Sequence, residues 1–501
     1  MWKAAKTSTL VLLAACLSWA PAVHSFYSYD NDFIPPQYFL SKNWSNTTLE
    51  AQQTILAWAE ETAAKGPWSV MNKTITPPSG TKHDYMSWAP YWWPDCSKAG
   101  NTTELTPEQS TPTLRVFHST TDILSHLARF SHSIRLYACI SGIVWVTCAY
   151  VPRDGQFNPD VRTLINDIGN FGDMSDAILY NSISWAINGD SKYPTRIANW
   201  IDTWFLNNDT MMNPNLNYAQ MNRGPTGQVG THTGILDLKS MAKIAVGILI
   251  LREGKAPEWT TEVDNGFDAW IKAYIPWLTS AKIALEEMNS ANNHGSFYFN
   301  QLASLQILSG DKDGAKQTIQ KFFTGIYENQ IAANGDQPFE SERTHPYHYR
   351  AYNLQAMLTN ARLGAYVGFN AWNVTTKQGG TIKSALDFAM TKAAGSEPAS
   401  EIYMIVQAIA ASYGDPGNTY ANWLLQNAGP DYVKDACFLW NQPLSDNGLV
   451  NVTSLTSSAS AAGAAATGKN QKANDASAVQ RYGVLVYTLC VAAGLFVLRG
   501  L

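Results

Sequence analysis

Three short stretches of the chain gather side chains able to bind an anion, move a proton or stack on a flat ring. The first runs from Ser79 to Asp95 and holds Lys82, His83, Asp84, Tyr85, Trp88, Tyr91, Trp92 and Trp93. The second is Asn292-Asn293-His294-Gly295, directly before an apolar run that starts near Phe297. The third runs from Gln337 to Leu354 and crowds Arg343, His345, His348, Tyr349, Arg350 and Tyr352 together. Arg and His supply positive charge for an anion, His and Tyr exchange protons, and aromatic faces stack on sugar rings. Each stretch also has a plainer reading: Trp92 or Trp93 as a plug, Asn292 as a helix cap with a structural His beside it, Tyr349 and Tyr352 as packing rings with one wet edge. Lys82, His83 and Tyr85 in a loop, and two Arg, two His and three Tyr between Arg343 and Tyr352, are harder to explain as packing. The His residues are dispersed, and neither a His-Glu-x-x-His motif nor a paired-Cys spacing occurs, so no metal and no cofactor are expected.

The elements that must position these residues are helices and the loops between them. Gly80, Pro90 and Pro94 bar a long helix from the first stretch, which therefore reads as a loop. Asn292 and Asn293 fall where a helix starts, and free backbone N–H groups there favour an anion. Pro346 keeps Arg343 to His345 out of a long helix; the next helix begins around His348, so that Arg343 and Tyr349 face a common cleft. From about residue 160 helical periodicity predicts one helix after another: Ala177 to Ile187 ending at Asn188-Gly189, Tyr193 to Leu206, Leu236 to Glu253, Asn265 to Met288, Phe297 to Leu308 ending at Gly310, and Gly314 to Ile331. Strand alternation is scarce. Helix pairs on short turns, without a strict repeat, point to an all-α toroid of helical hairpins in one domain over residues 26–452.

With 501 residues and 45% hydrophobic content the chain can bury a large core; its 18 Trp and 23 Tyr also suit a carbohydrate groove. Lys3 and Lys6, an apolar run from Thr9 to Trp19 and small residues before Phe26 have the layout of a secretory signal over residues 1–25. At the other end a Ser/Ala-rich linker over 453–474 precedes an apolar run from Tyr482 to Leu498, too short for a comfortable membrane span. That order predicts a glycosylphosphatidylinositol signal over 475–501, with attachment at Asn474. Sequons at Asn43, Asn46, Asn72, Asn101, Asn208, Asn373 and Asn451 fit a glycoprotein of the same route. The chain is expected outside the cell, at the surface, as a monomer tied to the membrane only by its anchor. The stretch Ser110 to Gly142 lacks turn logic and reads as an insertion or a mis-spliced segment; without it Cys96 and Cys148 come close in sequence and are expected to pair. The net charge of -5 gives no hint of nucleic acid, so a polyanionic partner must meet a local basic cluster.

In this order the stretches resemble the alginate lyase family of (α/α)-toroid polysaccharide lyases. The resemblance spans about Thr54 to Ala411 and is carried by Lys82-His83-Asp84-Tyr85-Met86-Ser87 with Ala89 to Pro94, Arg153 to Asp160, Asn213 to Gln220, Asn292 to Gly295, and Gln337-Pro338 through Arg343 to His348-Tyr349. It implies an incomplete (α/α) toroid with a lid loop and cleavage of a 4-linked polyuronate, alginate or glucuronan, by β-elimination. It further implies Asn293, His294 and Arg343 as the groups that neutralise the C5 carboxylate, and Tyr349 as base, acid or both. Substrate contacts implied are Lys82, His83, Tyr85, Trp88, Tyr91, Trp92, Gln220, His232, Asn292 and His348, with Lys82 and Tyr85 on the lid. His232 stands in Gly230-Thr231-His232-Thr233-Gly234-Ile235, where the family usually shows Gly-Arg before Gly-Thr-Gly-Ile.

β-Elimination needs donors aimed at the carboxylate, a base for C5 and an acid for O4. A tyrosine has a reference pKa of about 10, and Arg343 with a nearby His is expected to lower that of Tyr349. Two rival readings remain at this point. A glycoside hydrolase would use a carboxylate pair drawn from Asp84, Asp154, Glu340 and Glu342; a surface glycan-binding protein would keep the groove without turnover.

Overall fold

A computed structural model describes residues 31–95, 149–163, 165–224 and 228–441. The expected leader, Cys96 and Cys148, Asn101, Asn451, Asn474, the 110–142 segment and the C-terminal signal lie outside these residues.

The helices are α1 (Pro36–Leu40), α2 (Leu49–Ala63), α3 (Asp167–Asn188), α4 (Lys192–Ile201), α5 (Met241–Gly254), α6 (Thr261–Ser280), α7 (Lys282–Met288), α8 (Asn293–Leu308), α9 (Lys312–Phe323), α10 (Pro338–Ser341), α11 (Pro346–Tyr366), α12 (Ile382–Met390), α13 (Tyr403–Tyr413) and α14 (Thr419–Asn427). Local chemistry sets many of the boundaries. α3 stops where Gly189 adopts φ 77° and its N–H reaches the Trp185 carbonyl at 2.8 Å. α9 starts from Asp311, whose carboxylate accepts the Gly314 N–H at 2.9 Å. It then buries Ala315, Thr318, Ile319, Phe322 and Phe323, the stripe of a helix with one wet face.

α2 packs on α3, α3 on α5, α5 on α8, α8 on α11, α11 on α12, α12 on α13 and α13 on α14. The 3₁₀ turns Pro430–Lys434 and Ala436–Leu439, rather than a further helix, return to α2, so the helices form an incomplete circuit and the fold is an all-α toroid. α8 and α11 are buried along most of their length, since neighbours cover them on several sides. One end of the circuit is plugged by the segment before α1. Asp32 there accepts from the Arg362 guanidinium at 2.6 Å and the Trp440 indole at 2.9 Å, and Asn31 donates to the Asn300 side chain at 2.6 Å.

Among the described residues there are four short strands, two of them inside the expected loop. β1 (Met86–Trp88) runs parallel to β4 (Tyr218–Met221), and β2 (Trp92–Asp95) runs antiparallel to β3 (Ala149–Pro152). The predicted helix Asn265 to Met288 is two helices, parted at Ala281, whose ψ of 135° is extended. No Gly or Pro marks that break, which is why periodicity reads through it. The predicted helix from Leu236 likewise divides into a 3₁₀ segment, His232–Leu238, and α5. Both breaks turn out to place functional side chains.

No described helix is long and apolar enough to cross a membrane.

Candidate active site

At the N-terminal ends of α8 and α11 a cavity of about 330 Å³ opens beneath the aromatic loop. Tyr91, Trp92, Gln220, Asp237, Lys239, Asn293, His294, Arg343, His348, Tyr349 and Tyr352 line it. A second space of about 610 Å³ is lined by His232, Asn292, Phe339 and Glu342, again with His294 and Arg343. The two spaces adjoin at His294 and Arg343, which line both, and together they form the candidate groove.

Each wall has a local cause. Asn292 caps α8 by accepting the His294 N–H at 3.3 Å. Gly295 follows because a Cβ there would stand 2.2 Å from the Ser290 carbonyl, so only Gly lets the incoming turn close against the helix. The helix start does attract an anion, but it is an internal one: Glu340 accepts the Asn293 N–H at 2.7 Å and its side-chain amide at 2.8 Å. Burial nonetheless raises the Glu340 carboxyl, with Asn293 and Arg343 acting the other way. The Asn293 Oδ1 is buried and has no hydrogen-bond partner.

Arg343 lies over the ring of Tyr349, with its guanidinium carbon 3.8 Å from the centroid, and donates to Asp154 at 2.9 Å. Asp154 reaches it because the next residue is Gly155, with φ 71°, where a Cβ would meet Thr344 Oγ1 at 2.5 Å and His345 Nε2 at 2.8 Å. The Tyr349 hydroxyl sits 3.4 Å from that of Tyr91. Its acidity corrects an expectation. Arg343 does pull the phenol down, but burial and the Tyr91 hydroxyl push it further up, above the usual tyrosine range. His348 is held through Nδ1 by Glu401 at 2.9 Å and stacks on Tyr352.

The aromatic loop is strapped down by the Arg153 to Asp160 stretch. The Arg153 N–H donates to the Tyr91 carbonyl at 2.7 Å, the Asn158 N–H to Pro90 at 2.8 Å and its side chain to Trp92 at 2.9 Å. At the floor, Asp237 is 3% exposed and accepts from the Gln220 amide at 2.7 Å, the Tyr85 hydroxyl at 3.1 Å and the Ser87 hydroxyl. Gln220 holds φ 44°, a left-handed conformation costly for a side chain of its kind, at the cleft wall.

Among the expected site residues, Asn293, His294, Arg343, Tyr349, Tyr91, Trp92, Gln220 and His348 share the first cavity, and His232 and Asn292 the second. Four others line neither. Tyr85 is fully buried as a support for Asp237, so it is neither a lid nor a contact. Trp88 is 3% exposed and packs beneath Arg223. His83 is spent on the Met211 carbonyl at 2.7 Å, and the Lys82 carbonyl accepts from Lys73 at 2.8 Å. Sequence pattern missed Glu287 and Asp237, because an isolated acidic residue in a helical stretch reads as a solvated face.

Two dispersed histidines do meet. Glu287 accepts from His294 Nδ1 at 2.7 Å and from His232 Nδ1 at 2.6 Å. Their ligand atoms lie within 4.8 Å of one another, a set able to offer donors to a cation, though the observed spacings are those of direct hydrogen bonds. Of the four carboxylates a hydrolase could draw on, three are engaged by other side chains, Asp84 by Asn213 and Asn215, Asp154 by Arg343 and Thr344, and Glu340 by Asn293, which leaves Glu342 in the wall of the second space without a second carboxylate to pair with it.

A family model described as alginate lyase matches residues 69–399. The chain belongs to the alginate lyase family. Its structure is similar to the crystal structure of an alginate lyase from Bacteroides ovatus, with TM-score 0.66 and 27% identity over 83% of this chain and 100% of the other. Alginate lyase A1-III from Sphingomonas species A1 is a more remote match, with TM-score 0.39 and 15% identity over 53% of this chain and 73% of the other. No curated protein matches. As a member of the alginate lyase family the chain is a polysaccharide lyase, with the (α/α) toroid that its helices already display.

Proposed function

We propose that the groove cleaves a 4-linked polyuronate by β-elimination, with Arg343 and Asn293 meeting the carboxylate of the sugar whose C5–H bond breaks. Alginate or glucuronan fits this chemistry. His294 takes the C5 proton, the C4–C5 double bond forms, the C4–O bond breaks, and the Tyr349 phenol delivers its proton to the departing O4. The observation that carries this reading is that Asn293, His294, Arg343 and Tyr349, from three separated segments, line one cavity. The division of labour follows from burial: a phenol held protonated is an acid first. For Asn293 to donate to the substrate, its amide must turn from Glu340, and a Glu340 raised by burial can then protonate and donate to Oδ1 in exchange.

The test is to incubate the full chain with polymannuronate, polyguluronate and glucuronan and follow ultraviolet absorbance. A lyase leaves an absorbing unsaturated end, whereas a hydrolase leaves saturated ends. Tyr349→Phe is expected to lower kcat by about 10²-fold or more with binding retained; unchanged turnover removes Tyr349 from the mechanism. We also read the chain as a secreted, lipid-anchored glycoprotein, supported by its terminal signals and by the exposed side chains of Asn43, Asn46, Asn72, Asn208 and Asn373. Release from cells by a phosphatidylinositol-specific phospholipase tests the anchor.

A further inference from the structure

The turn between α7 and α8 brings an acidic residue under the catalytic histidine. Glu287 sits one residue before the end of α7, and the Ser290 N–H folds back to its carbonyl at 3.0 Å. The chain then reverses into the Asn292 cap, which sets His294 above the Glu287 side chain. That side chain is fully buried, and each of its oxygens holds a different imidazole. Oε1 accepts from His294 Nδ1 at 2.7 Å, and Oε2 from His232 Nδ1 at 2.6 Å, with the Ser290 hydroxyl 3.5 Å from Oε2. The two rings stand 6.0 Å apart.

An ionised carboxylate has no proton to give, so both Nδ1 atoms must carry one. In a neutral imidazole with its proton on Nδ1, the opposite nitrogen, Nε2, is the acceptor. His294 turns Nδ1 to the buried carboxylate, so the edge it shows to the groove carries Nε2. Burial by itself works against an ionised Glu287, but the charges and hydrogen bonds of His294 and His232 outweigh it and hold the carboxyl below its usual range. The same contact raises the His232 imidazole against the opposing effect of burial. Other charges around the pair are Glu286 on the same helix and Glu340 and Arg343 on the facing segment.

We propose that Glu287 is a positioning residue for the elimination: it fixes His294 in the Nδ1–H tautomer with Nε2 open to the sugar, and anchors His232 in the adjoining part of the groove. The proposal deepens the reading of His294 as the base and rests on it for its kinetic arm only. Glu287→Gln tests it because a glutamine has one accepting oxygen and one donating amide. It cannot accept from both rings, and where its amide donates, the facing ring must present an unprotonated Nδ1 and carry its proton on Nε2.

The experiment combines kinetics with imidazole ¹⁵N spectra of the His-labelled full chain, assigned with His294→Gln. In the wild type, His294 is expected to show the Nδ1–H tautomer. Glu287→Gln is expected to lower kcat by about 10²-fold with KM little changed. The double variant Glu287→Gln/His294→Gln should lose no more than His294→Gln alone, because the two act as a unit. An Nε2–H tautomer at His294 in the wild type overturns the proposal. So does wild-type turnover in a folded Glu287→Gln protein, or losses that multiply in the double variant. The wild-type spectrum stands even if Glu287→Gln does not fold. A His294→Gln protein that keeps full turnover sinks the catalytic reading while leaving the tautomer result to judge Glu287 by itself.

Discussion

At the scale of single residues, the cleft works by holding ordinary groups in unusual company. Arg343 lies over the Tyr349 ring while a terminal nitrogen of its guanidinium donates to Asp154, which fixes the group's orientation. Asp154→Ala should therefore raise KM and lower kcat together without unfolding the chain, as steady-state kinetics beside a circular dichroism melt will show. Tyr349 stays protonated beyond the pH near 10 at which an ordinary tyrosine ionises, so loss of its proton should not limit turnover in the mildly alkaline range. His232 gives a stability signature. Its imidazole is raised in the folded state by Glu287, so its contribution is fully present below about pH 6.5 and fades as pH rises through the higher folded value. Urea titrations should show His232→Gln losing that part of the slope, and an unchanged slope would dismiss the pair as a pH-linked contact.

At the scale of elements, two devices hold the aromatic loop over the groove. The loop's base is tied by a fully buried ion pair. Lys73 meets Asp167 at 2.8 Å and donates to the Lys82 carbonyl, while Asp167 accepts the Met86 N–H at 3.0 Å. Lys73→Met leaves a buried carboxylate without its partner and should destabilise the protein by about 3–5 kcal/mol in chemical denaturation, with activity falling as the loop loosens. The loop's tip is held by the strap that contains Gly155. Gly155→Ala adds a methyl against Thr344 and His345 at a left-handed backbone position, a cost of about 1–2 kcal/mol. Because the strain falls between the strap and Arg343, kcat/KM should drop more than the melting temperature suggests. The break at Ala281 matters at this scale too, since a continuous helix would carry Glu287 away from the histidines.

At the scale of the whole molecule, the toroid separates stability from chemistry. Tyr349 and Arg362 lie on one helix about 20 Å apart by helical rise, the first in the groove and the second on the N-terminal plug. Asp32→Ala takes the carboxylate from the largely buried Arg362 guanidinium, which still donates to the neutral Asn441 side chain, and should cost about 3 kcal/mol of stability, yet leave kcat per folded molecule unchanged. A fall in kcat would mean the plug also shapes the groove. Much of this architecture was legible beforehand. Helical spacing foretold α3 and α8 with their Gly and Asn punctuation, whereas the helix expected over Gly314 to Ile331 stops at Phe323 before Gly325, and Pro346 rightly separated Arg343 from the helix bearing Tyr349. Local sequence could do this because periodicity, caps and breakers act over a few residues. It could not say that Tyr85 and Trp88 turn inward, since a three-residue strand paired to residues more than 130 positions away decides which way the loop faces. Nor could it join Glu287 to His232, which stand 55 residues apart, or weigh burial against Arg343 at the Tyr349 phenol. The residue types alone determined which protons and charges the protein has to work with. Only the tertiary structure decided which are desolvated and which face one another, because burial and direct contact, which depend on the whole fold, set the energy of each charge.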